Sequence, residues 1–156
     1  MGLRENILSH PVSQLELRPV IAVKPTDSVR QALQQMRDKR LGCVVIVDQD
    51  NRPLGKFTER LLIRLLIKDP AALDEPVGDH MAHAWGMVKS GDSIARVIEC
   101  MEEKKLRFVI VVDDQGRPIG LTGQKGVMEY LVEHFPRQIK VQETVSKLYM
   151  DDREGA

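Results

Sequence analysis

Few side-chain combinations in this 156-residue chain have the type and spacing that chemistry needs. His80 and His83, with Asp79 beside them, stand at i, i+3, a spacing that could turn two imidazoles toward one metal ion from a helix. No cysteine or further histidine is paired with them in sequence, so the favoured reading is a surface segment, and no metal is expected. Cys43 lies in a strand-like run and Cys100 in an amphipathic stretch, without CxxC spacing. That pattern marks buried, reduced thiols rather than a disulfide or a zinc site. Thr58 opens an apolar helical run, where its hydroxyl and the free N–H groups of a first turn make a natural phosphate contact. Lys104, Lys105 and Arg107 cluster where a helix gives way to a strand, a place that suits an anion or the negative end of the helix dipole equally. No Gly-x-Ser-x-Gly elbow, Walker loop or HExxH pair is present, and the carboxylates sit with Lys and Arg on helix faces. A non-enzyme with no required cofactor is expected.

Composition narrows the classes further. The chain has 23 Lys+Arg against 23 Asp+Glu, so no global field attracts nucleic acid or an anionic membrane. Any anion must be held by a local cluster. The longest apolar runs, Cys43 to Val47 and Phe108 to Val112, are far short of the ~20 residues that span a bilayer. The N-terminus carries no apolar signal region. The expectation is a cytoplasmic protein without membrane or nucleic-acid partners.

The elements that must position these residues come from a repeat. Asp27-Ser28 recurs as Asp92-Ser93, Met36 as Met101, Leu41 as Leu106, Arg52-Pro53 as Arg117-Pro118 and Gly55 as Gly120, always 65 positions apart as 27 is from 92. The units are repeat 1 (12–68) and repeat 2 (77–134), with an N-terminal extension (1–11), a linker (69–76) and a C-terminal tail (135–156). Units of ~55 residues are marginal alone, so the two should bury their apolar faces against each other.

Within each unit Val20 to Lys24 reads as a short strand, and a helix starts at Ser28, which has capping-box spacing to Gln31. Val29, Ala32, Leu33 and Met36 form its apolar stripe, matched by Ile94, Val97, Ile98 and Met101. Two β-branched runs, Cys43 to Val47 and Phe108 to Val112, suit strands covered on both faces. Turn residues and a second strand follow (Pro53 to Phe57, Pro118 to Thr122). The last helices run from Glu59 to Lys68 and from Gln124 to His134, the second stopped by Pro136. The fold class is therefore α+β: two tandem β-α-β-β-α units, each a small sheet with two helices, packed with pseudo-two-fold symmetry. In the tail, Ile139 to Val141 reads as a strand and Thr144 to Tyr149 as a helical turn.

This order, with the Val-Val-Asp strand end, the Arg-Pro-Leu-Gly turn and Gly55-Lys56-Phe57-Thr58-Glu59-Arg60, resembles a CBS-domain pair (Bateman module) of stand-alone type. The resemblance implies a non-catalytic regulatory module that binds AMP, ADP, ATP or S-adenosylmethionine between its repeats and signals to an unidentified protein in trans. It points to Thr58, Arg107, Gly42, Gly86, Ile21, Thr122 and Lys105 as ligand-binding candidates, with Arg107 foremost, near where family members place phosphate-binding basic side chains. The family's Gly-x-x-Thr/Ser-x-x-Asp motif ends in a ribose-binding carboxylate. Here repeat 1 keeps Gly55 and Thr58 but has Leu61 at that position; repeat 2 keeps Gly120 but has Gly123 and Gly126. Both carboxylates are missing, so the alternative is a ligand-free dimeric scaffold. Leu61, Leu62, Ile63, Leu65, Leu66 and Ile67 surround nearly the whole helix circumference, more than one core face uses. A homodimer is expected through Leu62, Leu65, Leu66, Val127 and Leu131.

Overall fold

A computed structural model describes residues 2–83 and 85–136. The strand expected at Ile139 to Val141 and the turn at Thr144 to Tyr149 lie outside the described residues. After helix α1 (Leu3–Ser9), repeat 1 contributes β1 (Ala22–Val23), α2 (Val29–Lys39), β2 (Cys43–Val47), β3 (Pro53–Thr58) and α3 (Glu59–Lys68). Repeat 2 contributes β4 (Met87–Lys89), α4 (Ile94–Lys104), β5 (Phe108–Val112), β6 (Pro118–Gly123) and α5 (Gln124–His134).

Local signals act as their chemistry requires. Gln31 donates its backbone N–H to Ser28 Oγ at 3.1 Å while its side-chain oxygen accepts the Ser28 N–H at 2.9 Å, closing a capping box on α2. Ser93 caps α4 by accepting the Arg96 N–H at 3.4 Å. Both helices end on a left-handed residue, Arg40 (φ 53°) and Lys105 (φ 54°). The next N–H returns to the helix each time, Leu41 to Met36 and Leu106 to Met101. β1 is shorter than the Val20 to Lys24 expected, because Pro19 and Pro25 on either side have no N–H to give a ladder.

Each sheet has three strands in the order β1-β2-β3 or β4-β5-β6, the first pair parallel and the hairpin antiparallel. The hairpins share a register break at Ile46/Val47 and Val111/Val112, 65 positions apart. Alternation along the central strands separates the layers. Val44 and Ile46 face their own helices with Phe57 and Met36, and Val109 and Val111 do so in repeat 2. Val45 and Val47 meet Ile110, Val112 and Leu121 in a layer between the two sheets. Both faces of β2 and β5 are thus covered, which accounts for their unbroken apolar runs.

The segments leading into the repeats cross over. Arg18 and Leu121 exchange backbone hydrogen bonds at 2.8 and 2.9 Å, and Val12 and Leu15 lie in the core of repeat 2. Reciprocally, Lys56 and Ala82 exchange bonds at 3.2 and 2.8 Å, and Val77 lies in the core of repeat 1. Helix α1 continues the first crossing, laying Leu3 and Ile7 on the repeat 2 core. His10 Nδ1 is hydrogen-bonded to the Tyr130 hydroxyl at its end.

Candidate functional site

The segment 16–18, which pairs with β6 through Arg18, and the approach of the β2 and β5 starts leave a cavity of about 190 Å³ beside the opening of α5. Its walls include Gly42 and Cys43 from repeat 1, and Phe108, Leu121 and Thr122 from repeat 2. The rim carries Arg18, Arg107 and Lys125, with Glu16 opposite in charge. Arg18 donates to Glu129 Oε1 at 3.0 Å, and Lys125 Nζ lies 4.0 Å from the same oxygen, so Arg107 is the rim cation without an ion pair among the described residues.

Gly123 explains why this helix opening is bare. A Cβ there would stand 2.3 Å from the Arg107 carbonyl oxygen and 3.0 Å from Phe108 Cα, so β5 and β6 approach too closely for any side chain. Gly123 is the N-cap of α5 and offers no side-chain acceptor to the first turn. The positive end of the helix dipole therefore opens on the cavity without a side-chain cap, the Gln124 N–H reaching back to the Arg107 carbonyl at 3.5 Å. At the equivalent point of repeat 1, Thr58 is already engaged, accepting the Leu61 N–H at 3.3 Å. The Thr58 hydroxyl thus serves its own helix, and Thr58 lines neither this cavity nor the groove between α2 and α3.

The repeat 1 counterpart of the cavity is filled from within. Lys56, the residue matching Leu121, is only 9% exposed and sets its Nζ 5.2 Å from the Phe108 ring centroid. Burial lowers its pKa from 10.5, while proximity to the Cys43 thiol works in the other direction. Burial pushes Cys43 up to about 12 against the pull of Lys56, so the thiol is inert near neutral pH. Phe57, matching Thr122, is fully buried, and Leu61, matching Gly126, packs on the repeat 1 core.

Of the sequence candidates, the fold brings Gly42, Arg107 and Thr122 together at one cavity. Ile21 is instead a core residue, 1% exposed, among Val23, Val44 and Phe57. Gly86 is pressed against the interior: a Cβ there would stand 2.6 Å from Cys100 Sγ and 2.8 Å from Val109 Cγ1, which leaves no ligand space. Lys105 is the exposed left-handed cap of α4 and lines neither cavity. Glu16, Arg18, Phe108 and Lys125 were not anticipated as site residues.

Among the expected interface residues, Val127 is a correction. It is 7% exposed within the repeat 2 core, because it continues the inward stripe that Tyr130 and Leu131 share. Leu62 and Leu65 likewise lean on the repeat 1 core, and Leu66 is half-buried. The outward apolar residues are Ile63 and Ile67 on α3, 61% and 81% exposed, and their counterparts Met128 and Val132 on α5. His80 is held by Glu75 and His83 is exposed; no group of three metal-capable side chains occurs among the described residues. No helix among these residues is long and apolar enough to cross a membrane.

Comparison with known proteins agrees with this architecture. A protein of Methanopyrus kandleri, MK0525, is 28% identical over 133 residues, covering 83% of this chain and 68% of its own length. The AMP complex of the CBS domain protein PAE2072 from Pyrobaculum aerophilum superposes with a TM-score of 0.69 at 23% identity, covering 86% of this chain and 98% of that one. The CBS domain pair of protein MJ0100, solved with 5'-methylthioadenosine and S-adenosylmethionine, gives 0.68 at 17% identity, covering 78% and 94%. At these identities the two structures establish the fold. The CBS domain family model matches residues 12–68 and again 77–133, so the chain belongs to the CBS-domain family, as a tandem pair.

Proposed function

We propose that this chain is a non-catalytic regulatory module that binds an adenosine-containing ligand (AMP, ADP, ATP or S-adenosylmethionine) in the repeat 2 cleft. Its occupancy is passed, through the relative placement of the repeats, to a protein partner in trans. The observation that carries this reading is the uncapped opening of α5 beside Arg107, on a cavity shared by both repeats. Fixed amide dipoles and a cation suit a phosphate, and the apolar walls suit a base. The PAE2072 and MJ0100 structures, with AMP and with S-adenosylmethionine bound, lend support from the fold. The ligand acts by preferring one arrangement of the repeats to another.

A thermal-shift titration with the four ligands, repeated on Arg107→Ala, tests the reading. A ligand at a hundredfold excess over Kd stabilises by about 2.7 kcal/mol. A shift with one ligand that Arg107→Ala removes is the expected result. No shift with any of them at millimolar concentration sinks the proposal.

A second reading, a ligand-free dimeric scaffold, is favoured by the matched apolar pairs Ile63/Ile67 and Met128/Val132. A C2 dimer of this chain through α3 and α5 would cover both pairs at once, since the pseudo-two-fold relates them. Sedimentation of wild type against Ile63→Glu/Ile67→Glu tests the interface: dissociation by the charges supports it, and an oligomeric state that the charges leave unchanged removes it, while the ligand titration above separates scaffold from sensor.

A further inference from the structure

The balanced charge of the whole chain hides an uneven division. Repeat 1 (12–68) carries 11 Lys+Arg against 6 Asp+Glu, whereas the linker and repeat 2 (69–134) carry 7 against 12. One half is positive by five charges and the other negative by five. The helices share the bias: α2 and α3 hold six Lys and Arg against two carboxylates, α4 and α5 three against five. Each half thus presents a field of its own to a surface within a Debye length, about 8 Å at physiological salt.

The division reaches the two outward apolar stripes. Beside Ile63 and Ile67 on α3 stand Arg64 and Lys68; at the same places beside Met128 and Val132 on α5, 65 positions on, stand Glu129 and Glu133. Arg60 adds a third cation to α3, and its place keeps its sign in α5 as Lys125, which Glu129 offsets at 4.0 Å. Arg60, Arg64, Lys68 and Glu133 are exposed and form no ion pair among the described residues. Two arrangements of a C2 dimer bury the same stripes. Head-to-head sets α3 on α3 and brings cation to cation. Head-to-tail sets α3 of each copy on α5 of the other, and the charges that approach are opposite. Like charges pressed together across an interface are costly, so the flanking charge selects between two arrangements that apolar area alone leaves equal.

Resting on the dimer reading above and not on the nucleotide, we propose that the outward faces of α3 and α5 dock a second copy of this chain head-to-tail, repeat 1 of each on repeat 2 of the other. Each α5, whose first turn opens on the cavity, then lies against the filled repeat of the second copy.

Complementation between two variants of the full chain tests the orientation, read by sedimentation velocity. Ile63→Glu/Ile67→Glu spoils the stripe on α3, and Met128→Lys/Val132→Lys spoils the one on α5; all four positions are exposed, so the fold should hold, as circular dichroism of each variant verifies. In a head-to-tail dimer every contact takes one α3 and one α5, so either variant alone loses both contacts and sediments as a monomer. Mixed, the two regain one native contact, and glutamates face lysines in the other. A mixed dimer at least about tenfold tighter than either variant alone is the expected result. In a head-to-head dimer each variant alone keeps one native contact and the mixture gains none; that outcome overturns the orientation and leaves the dimer reading standing. The wild-type dimer should also loosen about threefold to tenfold between roughly 0.05 and 0.5 M salt. Association that salt leaves unchanged or strengthens overturns the role of the charges, whatever the variants do. A monomeric wild type overturns this inference and the dimer reading together, and the nucleotide titration is independent of both.

Discussion

The two clefts of this chain share a backbone and differ in their contents. Sixty-five positions apart, Lys56, Phe57, Thr58 and Leu61 stand against Leu121, Thr122, Gly123 and Gly126. Strand pairing and register match on both sides, down to the same bulge. In repeat 1 a ring, an isobutyl group and a buried ammonium occupy the space, and the threonine hydroxyl is spent on its helix. In repeat 2 two glycines and a threonine leave it empty and leave the helix opening bare. The backbone symmetry makes two equivalent clefts; side-chain volume decides which stays open. One ligand per chain follows, if the repeat 2 cleft is the site.

The largest test of that contrast is to empty the filled side. Phe57→Ala removes a fully buried ring from the repeat 1 core and should cost about 3–5 kcal/mol in urea unfolding. A loss under 1 kcal/mol would mean that this side is not packed as described. The converse fills the empty side with the residue that repeat 1 uses. Gly126→Leu drives its Cβ toward Thr122 Oγ1, and overpacking should cost about 1–3 kcal/mol. It should also abolish any nucleotide-induced melting shift; a shift that persists moves the ligand out of this cleft.

The smallest effect concerns Lys56 and its dependence on pH. Burial lowers its pKa in the folded chain, so between that value and 10.5 the unfolded chain holds more protons. Stability from this group therefore rises with pH across the window, and the penalty of burying the ammonium is complete below it. Lys56→Met removes the penalty at the expense of the contact with Phe108. Its stability relative to wild type should be most favourable near neutral pH and should decline as pH approaches 10.5. Denaturant unfolding at several pH values reads this directly, and a difference that stays constant would place the ammonium in water.

The fold was legible because local chemistry and global pattern agree. Ser28 and Thr58 cap where their spacing to the apolar stripes puts them, and the duplicated runs at 43–47 and 108–112 mark the central strands. Part of the candidate cavity was legible for a different reason: Arg107, Gly42 and Thr122 sit at strand ends that the repeat aligns. Arg18 and Glu16 were hidden because they belong to repeat 1 in sequence yet lie against repeat 2, where Arg18 pairs with Leu121 of β6, a crossing that no periodicity encodes. Gly86 and Ile21 were misplaced because a small or apolar residue beside a strand looks the same whether it faces a ligand or the interior. Val127 and Ile63 show the same ambiguity on helices, where a nearly continuous apolar circumference hides which side turns inward.

The exchange of leading segments has a consequence for how the chain comes apart. A cut in the linker would not release two domains, since the first piece would keep Val12 and Leu15, which repeat 2 buries, and the second would keep Val77, which repeat 1 buries. Each half carries a strip of the other's interior. Loss of order in one repeat withdraws that strip from its neighbour, so the free energy of each is partly held by the other, and the pair should melt in one cooperative step despite its duplicated origin.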